Sequence, residues 1–84
     1  MKTLYKAEDG FTIYEHKILE YKVHITKMST GDFVVGFPYL GEGDDKKMLD
    51  DLVYYNKSVY VDRDRQKVIN KVRKWINQYK VRNV

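Results

Sequence analysis

The stretch that decides the fold runs from Asp62 to Lys80 and reads DRDRQKVINKVRKWINQYK. A helix turns by about 100° per residue, and at that spacing the apolar residues of this stretch share an arc of about 120°. These residues are Val68, Ile69, Val72, Trp75, Ile76 and Tyr79. The pattern predicts an amphipathic helix that packs on a single core. Asp62 is predicted to cap the helix N-terminus, and Asp64 adds negative charge to the first turn.

One flank of the predicted helix is basic. Its cationic residues recur at helical spacing and are Arg63, Lys67, Lys71 and Lys74. The bases on the opposite flank and in the tail are Arg73, Lys80 and Arg82. Residues 62–84 hold eight bases and two acids, whereas residues 42–51 hold five acids and two lysines. This polarity has two interpretations: the helix contacts nucleic-acid phosphates, or the acidic segment and the helix neutralise each other within the fold.

Length and composition indicate one small domain. The 84 residues predict a single domain over 1–84 with one modest core. Apolar residues make up 43% of the chain, which excludes a wholly disordered protein. There is no cysteine, so disulfide and thiolate-zinc sites are excluded and a reducing, cytoplasmic compartment is expected. The N-terminus lacks the apolar segment of a signal peptide, and no run of about 20 apolar residues predicts a membrane span.

Alternating and apolar runs upstream of the helix predict short strands. These strands are residues 3–6, 11–16, 21–27 and 33–37. The third alternates most clearly, so His24 and Thr26 are predicted to face solvent. Pro38 lacks an amide donor and is predicted to end the fourth strand or to lie at a sheet edge.

The segment after Pro38 is less regular. Residues 42–47 are predicted to form a mobile loop without a catalytic role. Residues 48–55 fit either a helix or, with 58–61, a hairpin, and their β-branched and aromatic residues favour the hairpin. The predicted fold is α+β with two layers: an antiparallel sheet of four to five short strands packed against a C-terminal amphipathic helix.

The aromatic residues offer stacking surfaces. Tyr14, Tyr54 and Tyr60 are predicted to lie on the sheet face opposite the core. There, each stacked nucleobase would contribute about 1–3 kcal/mol to binding. An open face rich in tyrosine suits a protein partner or a second copy of this chain equally well.

The sequence predicts neither an enzyme nor a metal or cofactor site. His16 and His24 match no helical or zinc-ligand spacing, and both are predicted to face outward. The acids of residues 42–51 cluster in a predicted solvated loop, and no serine lies in a nucleophile elbow. No glycine-rich phosphate loop is present, so no small-molecule substrate is expected.

Two features resemble known small domains. Residues 21–25 followed by 33–40, YKVHI and FVVGFPYL, resemble the strand-turn-strand opening of HicB-like antitoxin domains, although the charged loop and the Tyr-rich segment depart from that pattern. Three strands followed by a helix are similar in outline to the arm-binding domains of phage-type integrases, which read DNA with a small sheet. These resemblances imply a module from a phage or mobile element, and neither rests on a specific motif.

We therefore expect a small non-catalytic binding module whose partner is nucleic acid. The candidate nucleic-acid-binding residues are Arg63, Lys67, Lys71, Lys74, Tyr14, Tyr54 and Tyr60. The alternative is a protein-interaction, inhibitor or homodimerisation module that uses the Tyr-rich sheet face or an edge strand.

Overall fold

The computed structural model describes residues 1–36, 40–41, 43, 46–49, 51 and 60–82. The strands are β1 (Lys2–Lys6), β2 (Thr12–Ile18), β3 (Tyr21–Lys27), β4 (Phe33–Val35) and β5 (Tyr60–Asp62). They form one antiparallel sheet in the order β1-β2-β3-β4-β5, and the helix α1 (Arg65–Arg82) follows β5. The predicted α+β architecture is confirmed, with five strands.

The apolar stripe of α1 forms one half of the core. Trp75 is only 3% exposed, and Val68, Val72 and Ile76 are fully buried. The sheet contributes Val23, Ile25 and Val35 from the centre of the other half, and Phe33 packs at its margin. The burial of these residues confirms the predicted apolar stripe. The prediction succeeds because apolar side chains that recur every 3.6 residues over about five turns can be buried together only on one face of a helix.

The helix begins two residues later than predicted. Asp64 is its N-cap, since its Oδ1 accepts a hydrogen bond from the Gln66 N–H at 2.9 Å. The Asp64 carbonyl also accepts from the N–H groups of Lys67 and Val68. The prediction that Asp62 caps the helix is wrong, because Asp62 ends β5 and its Oδ1 accepts from the Asp64 N–H at 2.8 Å.

Both faces of β3 are buried, which corrects the prediction that one faces solvent. His24 is 2% exposed and Thr26 is fully buried. The chain beyond β4 returns alongside β3, where the His24 N–H donates to the Leu40 carbonyl at 2.8 Å. Leu40 and Leu49 are also fully buried, in the same cluster as Val23 and the apolar stripe of α1, and a Cβ at Gly41 would overlap the Leu49 side chain. Alternation within β3 could not reveal the burial of His24 and Thr26, because burial depends on what packs against the strand and not on the strand's own pattern.

The segment between β4 and β5 is described only in part. Residues 46–49 and 51 are helical. Residues 48–55 had two interpretations, and for the described residues at the start of that segment the helix is the correct one. The predicted hairpin falls mostly on residues 52–59, which lie outside the described residues. Of the predicted loop 42–47, Glu42, Asp44 and Asp45 also lie outside them, whereas Lys46 and Lys47 are helical, so the loop prediction is wrong for these two residues. No helix in the described ranges is long and apolar enough to cross a membrane.

Candidate nucleic-acid interface

The charge of α1 is of one sign. The helix sequence RQKVINKVRKWINQYKVR contains seven bases and no acid. Its apolar stripe is buried against the sheet, so most of these bases lie on the exposed part of the helix surface. A row of cations on a rigid element produces a positive potential that attracts polyanions.

The predicted basic flank is present on α1, but its members differ in their surroundings. Lys67 and Lys74 are exposed, and neither forms an ion pair with a carboxylate in the described part of the chain. Lys71 is half-buried, and its Nζ lies 5.5 Å from the centroid of the Tyr60 ring. This cation–π contact holds Lys71 against the sheet, so Lys67 and Lys74 are the flank's more available charges.

Arg63 does not belong to this flank. It lies in the bend between β5 and α1, where its Nη2 donates to the Thr30 carbonyl at 3.1 Å. Its Nε lies 3.5 Å from Asp32 Oδ1, in an ion pair whose arginine side chain is 77% exposed. The prediction placed Arg63 on the helix because it assumed that the helix starts at Asp62. The helix starts at Arg65 instead, and the Arg63 side chain contacts the β3–β4 turn.

Tyr14 and Tyr60 do not lie on the face opposite the core. Directly paired residues of antiparallel strands share a face, and the pairs are Tyr14 with Ile25 and Tyr60 with Val35. Ile25 and Val35 are core residues beneath α1, so both tyrosines lie on the helix side of the sheet and are half-buried. The predicted open stacking face is therefore wrong for these two residues, and Tyr54 lies outside the described residues.

The Tyr60 hydroxyl is already engaged. It donates to Asp62 Oδ2 at 3.1 Å, and this hydrogen bond raises the pKa of Tyr60. The pKa of Asp62 is lowered, chiefly because its carboxylate accepts the Asp64 N–H. These bonds link the end of β5 to the first turn of α1 and so help to fix where the basic helix begins.

The charge of α1 also acts on His16 of β2. His16 pairs with Val23, so it also lies on the helix side of the sheet. Burial lowers the pKa of His16, and the positive charges of the N-terminus, Arg65 and Arg73 lower it further. Arg65 and Arg73 of α1 thus contribute to the electrostatic environment of His16, although burial is the larger cause. Sequence reasoning missed this contribution, because it depends on which strand the helix covers.

A shallow, open depression on the outer surface of α1 lies between the two flanks. The described residues that line it are Asn70, Arg73, Lys74, Asn77, Gln78 and Val81. Asn70 Oδ1 accepts hydrogen bonds from Gln66 Nε2 at 3.0 Å and from Arg73 Nη1 at 3.4 Å. The surface between the flanks thus presents amides and cations, the side-chain types that commonly contact nucleic-acid backbones.

The two histidines cannot bind one metal ion together. His24 pairs with Glu15, and His16 pairs with Val23, so the two imidazoles lie on opposite faces of the sheet. No group of three potential metal-ligating side chains occurs among the residues that the structure describes.

Comparisons with known proteins assign no family. No protein-family model, curated protein or solved structure matches this chain. The resemblances to HicB-like antitoxins and integrase arm-binding domains gain no support from them. The functional argument therefore rests on the charge and geometry of α1.

Proposed function

We propose that this protein is a small non-catalytic nucleic-acid-binding module that contacts phosphates through α1. One observation supports this function above all: the helix carries seven bases and no acid. Its most accessible bases are exposed and come from both flanks; they are Lys67, Arg73 and Lys74. Lys80 is exposed as well, but its Nζ lies 5.4 Å from the Tyr21 ring centroid, a contact like that of Lys71 with Tyr60. Each phosphate that a cation neutralises releases counterions, which favours binding whatever the base sequence.

The helix has suitable dimensions for such contacts. Its 18 residues span about 27 Å, a distance over which duplex DNA presents many phosphates. Because Tyr14 and Tyr60 are half-buried on the helix side, stacking of unpaired bases on an open tyrosine face loses its structural basis. Contacts to the phosphate backbone, and hence to duplexes as well as single strands, fit the exposed residues better.

A protein-interaction or homodimerisation module remains the second candidate, favoured by the exposed edge strand β1. Four of its five residues are exposed. However, β1 carries lysines at both ends and a register shift between Thr3 and Tyr5. Both features discourage pairing with a further strand, so we rank this function below nucleic-acid binding.

The proposal involves no catalysis and no cofactor, and it places the module in the cytoplasm. The absence of cysteine suits a reducing compartment. Function then depends only on shape and charge.

The test measures binding to labelled duplex and single-stranded DNA by fluorescence anisotropy at several salt concentrations. Lys67→Gln/Lys74→Gln should weaken binding to every sequence and flatten the slope of log affinity against log salt by up to about 2. The fold should persist, because both side chains are exposed.

The matched control is Lys17→Gln/Lys22→Gln. These two lysines pair with each other on the sheet face opposite α1, and both are exposed, so the control removes the same charge elsewhere. We expect it to retain most of the affinity. Equal losses in the two double variants would show that net charge alone, rather than α1, governs binding and would overturn the assignment.

A further inference from the structure

A polar pocket lies at the end of the sheet where the β1–β2 and β3–β4 turns meet. Its volume is about 470 Å³, and its principal side chains are Lys6, Thr12, Tyr14, Lys27, Ser29 and Thr30. None of the described residues that line it is acidic. The pocket is separate from the helix depression, with which it shares no lining residue in the described ranges.

The sheet register brings two lysines to this pocket. Lys6 pairs with Thr12, and Thr12 pairs with Lys27, so the three side chains form one row across β1, β2 and β3. Neighbouring strands are about 4.8 Å apart, which places the two lysine Cα atoms about 10 Å from each other. Flexible lysine side chains can converge on one ligand across that distance, and their mutual repulsion favours an anion between them.

A strand irregularity directs Lys6 into the row. The register of β1 shifts between Thr3 and Tyr5, so Tyr5 pairs with Ile13 on the face opposite α1 and Lys6 lies on the α1 side. With regular alternation, Lys6 would share the face of Lys2, which pairs with Glu15 opposite α1. Bulges commonly redirect side chains next to functional sites.

The two turns close the end of the pocket. Gly10 has φ of 102°, and a Cβ there would lie 3.0 Å from the Ser29 Cβ, so the turns touch. The Met28–Asp32 turn is held by two backbone hydrogen bonds, from Gly31 N–H to the Met28 carbonyl and from Met28 N–H to the Asp32 carbonyl. The pocket walls are thus fixed by backbone geometry.

Two contacts set the charges around the pocket. Lys27 Nζ lies 5.8 Å from the ring centroid of Phe33 on β4, and an anion in the pocket would have to draw the ammonium group away from this contact. Asp32, the acid of the adjoining turn, accepts a hydrogen bond from the Thr30 hydroxyl at 2.7 Å and pairs with Arg63. Its negative charge is therefore offset outside the pocket.

We propose that this pocket binds a phosphomonoester, with Lys6 and Lys27 neutralising its charge and the hydroxyls of Thr12 and Ser29 donating hydrogen bonds. Two ammonium groups match the charge of a phosphate dianion. The volume exceeds that of a lone phosphate and lies in the usual range for small-molecule sites, and the half-buried Tyr14 forms part of the pocket wall. The phosphomonoester is either a free nucleotide or the phosphorylated end of a strand. The inference goes beyond the proposed function, because it does not require α1.

The test titrates the isotope-labelled protein with adenosine 5′-monophosphate and follows the backbone amides by NMR. Saturable shifts are expected at Thr12 and at Ser29 to Gly31. Adenosine without phosphate should cause none. Lys6→Gln/Lys27→Gln should weaken binding at least about tenfold, since it removes two charge-assisted contacts.

The matched control is Lys2→Gln/Lys22→Gln, which changes exposed lysines on the same two strands but on the face opposite α1. It should bind like the unmodified protein. If the pocket double variant does not fold, Lys6→Gln alone should weaken binding by about fivefold or more. Absence of shifts at about 10 mM ligand, or equal binding by the pocket variant and the control, would overturn the proposal.

A second pair of measurements identifies the source of the phosphate. Preference for a 5′-phosphorylated oligonucleotide over its 5′-hydroxyl counterpart indicates a strand end, whereas nucleotide binding without that preference indicates a free nucleotide. Lys67→Gln/Lys74→Gln should leave the nucleotide titration unchanged. The experiments therefore distinguish a pocket that binds no phosphomonoester from an α1 that binds no nucleic acid.

Discussion

Replacing Trp75 with alanine should cost more stability than any other single truncation of α1. The side chain is 3% exposed and lies in the core between helix and sheet. A buried tryptophan removes about 150–250 Å² from water, which at about 25 cal/mol per Å² corresponds to about 4–6 kcal/mol. Measured tryptophan and phenylalanine truncations in cores cost about 3–5 kcal/mol, and we expect a loss in that range.

This loss is large for so small a domain. At about 0.05–0.15 kcal/mol per residue, the 84 residues predict a free energy of unfolding of about 4–13 kcal/mol. Urea denaturation followed by far-ultraviolet circular dichroism measures the change. Val81→Ala is the control, because Val81 is 76% exposed on the same helix and should change stability by less than about 0.5 kcal/mol. A Trp75→Ala protein within about 1 kcal/mol of the parent would refute the packing described.

Three further predictions concern local features. Asp64→Ala removes the N-cap and should lower the free energy of unfolding by about 1 kcal/mol in urea denaturation. Leu19 and Glu20 have φ of 48° and 78° in the β2–β3 turn, so Leu19→Asn/Glu20→Gly should raise the melting temperature by relieving backbone strain. Because burial and nearby cations hold the pKa of His16 below 6.5, the unfolded chain binds its proton first as the pH falls. Stability should therefore decrease below about pH 6.5, and His16→Gln should reduce that decrease in denaturation curves measured across the pH range.

The helix and the strand count could be predicted from the sequence because their patterns are local. Six apolar positions at helical spacing indicate α1 whatever lies beneath it. The cap was misplaced because Asp62 and Asp64 are equally suitable residue types, and the choice depends on how far β5 extends. Pairing with β4 continues to Asp62, so the helix starts only after Asp64.

The site was less predictable because it depends on pairing between distant residues. Alternation shows which residues of a strand share a face, but it does not show which face the helix covers. Only the pairing of Tyr14 with Ile25, and of Tyr60 with Val35, places both tyrosines on the helix side of the sheet. The proximity of the pocket lysines could not be predicted for the same reason. Lys6 and Lys27 are 21 positions apart, and they come together only through Thr12 and the register shift in β1.

The salt dependence of DNA binding by the unmodified protein tests the central claim most directly. If two to four phosphates contact exposed bases of α1, log affinity should fall linearly with log salt concentration, with a slope of about −2 to −4. Binding should be similar across duplex sequences, because phosphate contacts carry no sequence information. Absence of binding to duplex or single-stranded DNA or RNA at about 50 mM salt, or an affinity that does not change with salt, would contradict the account.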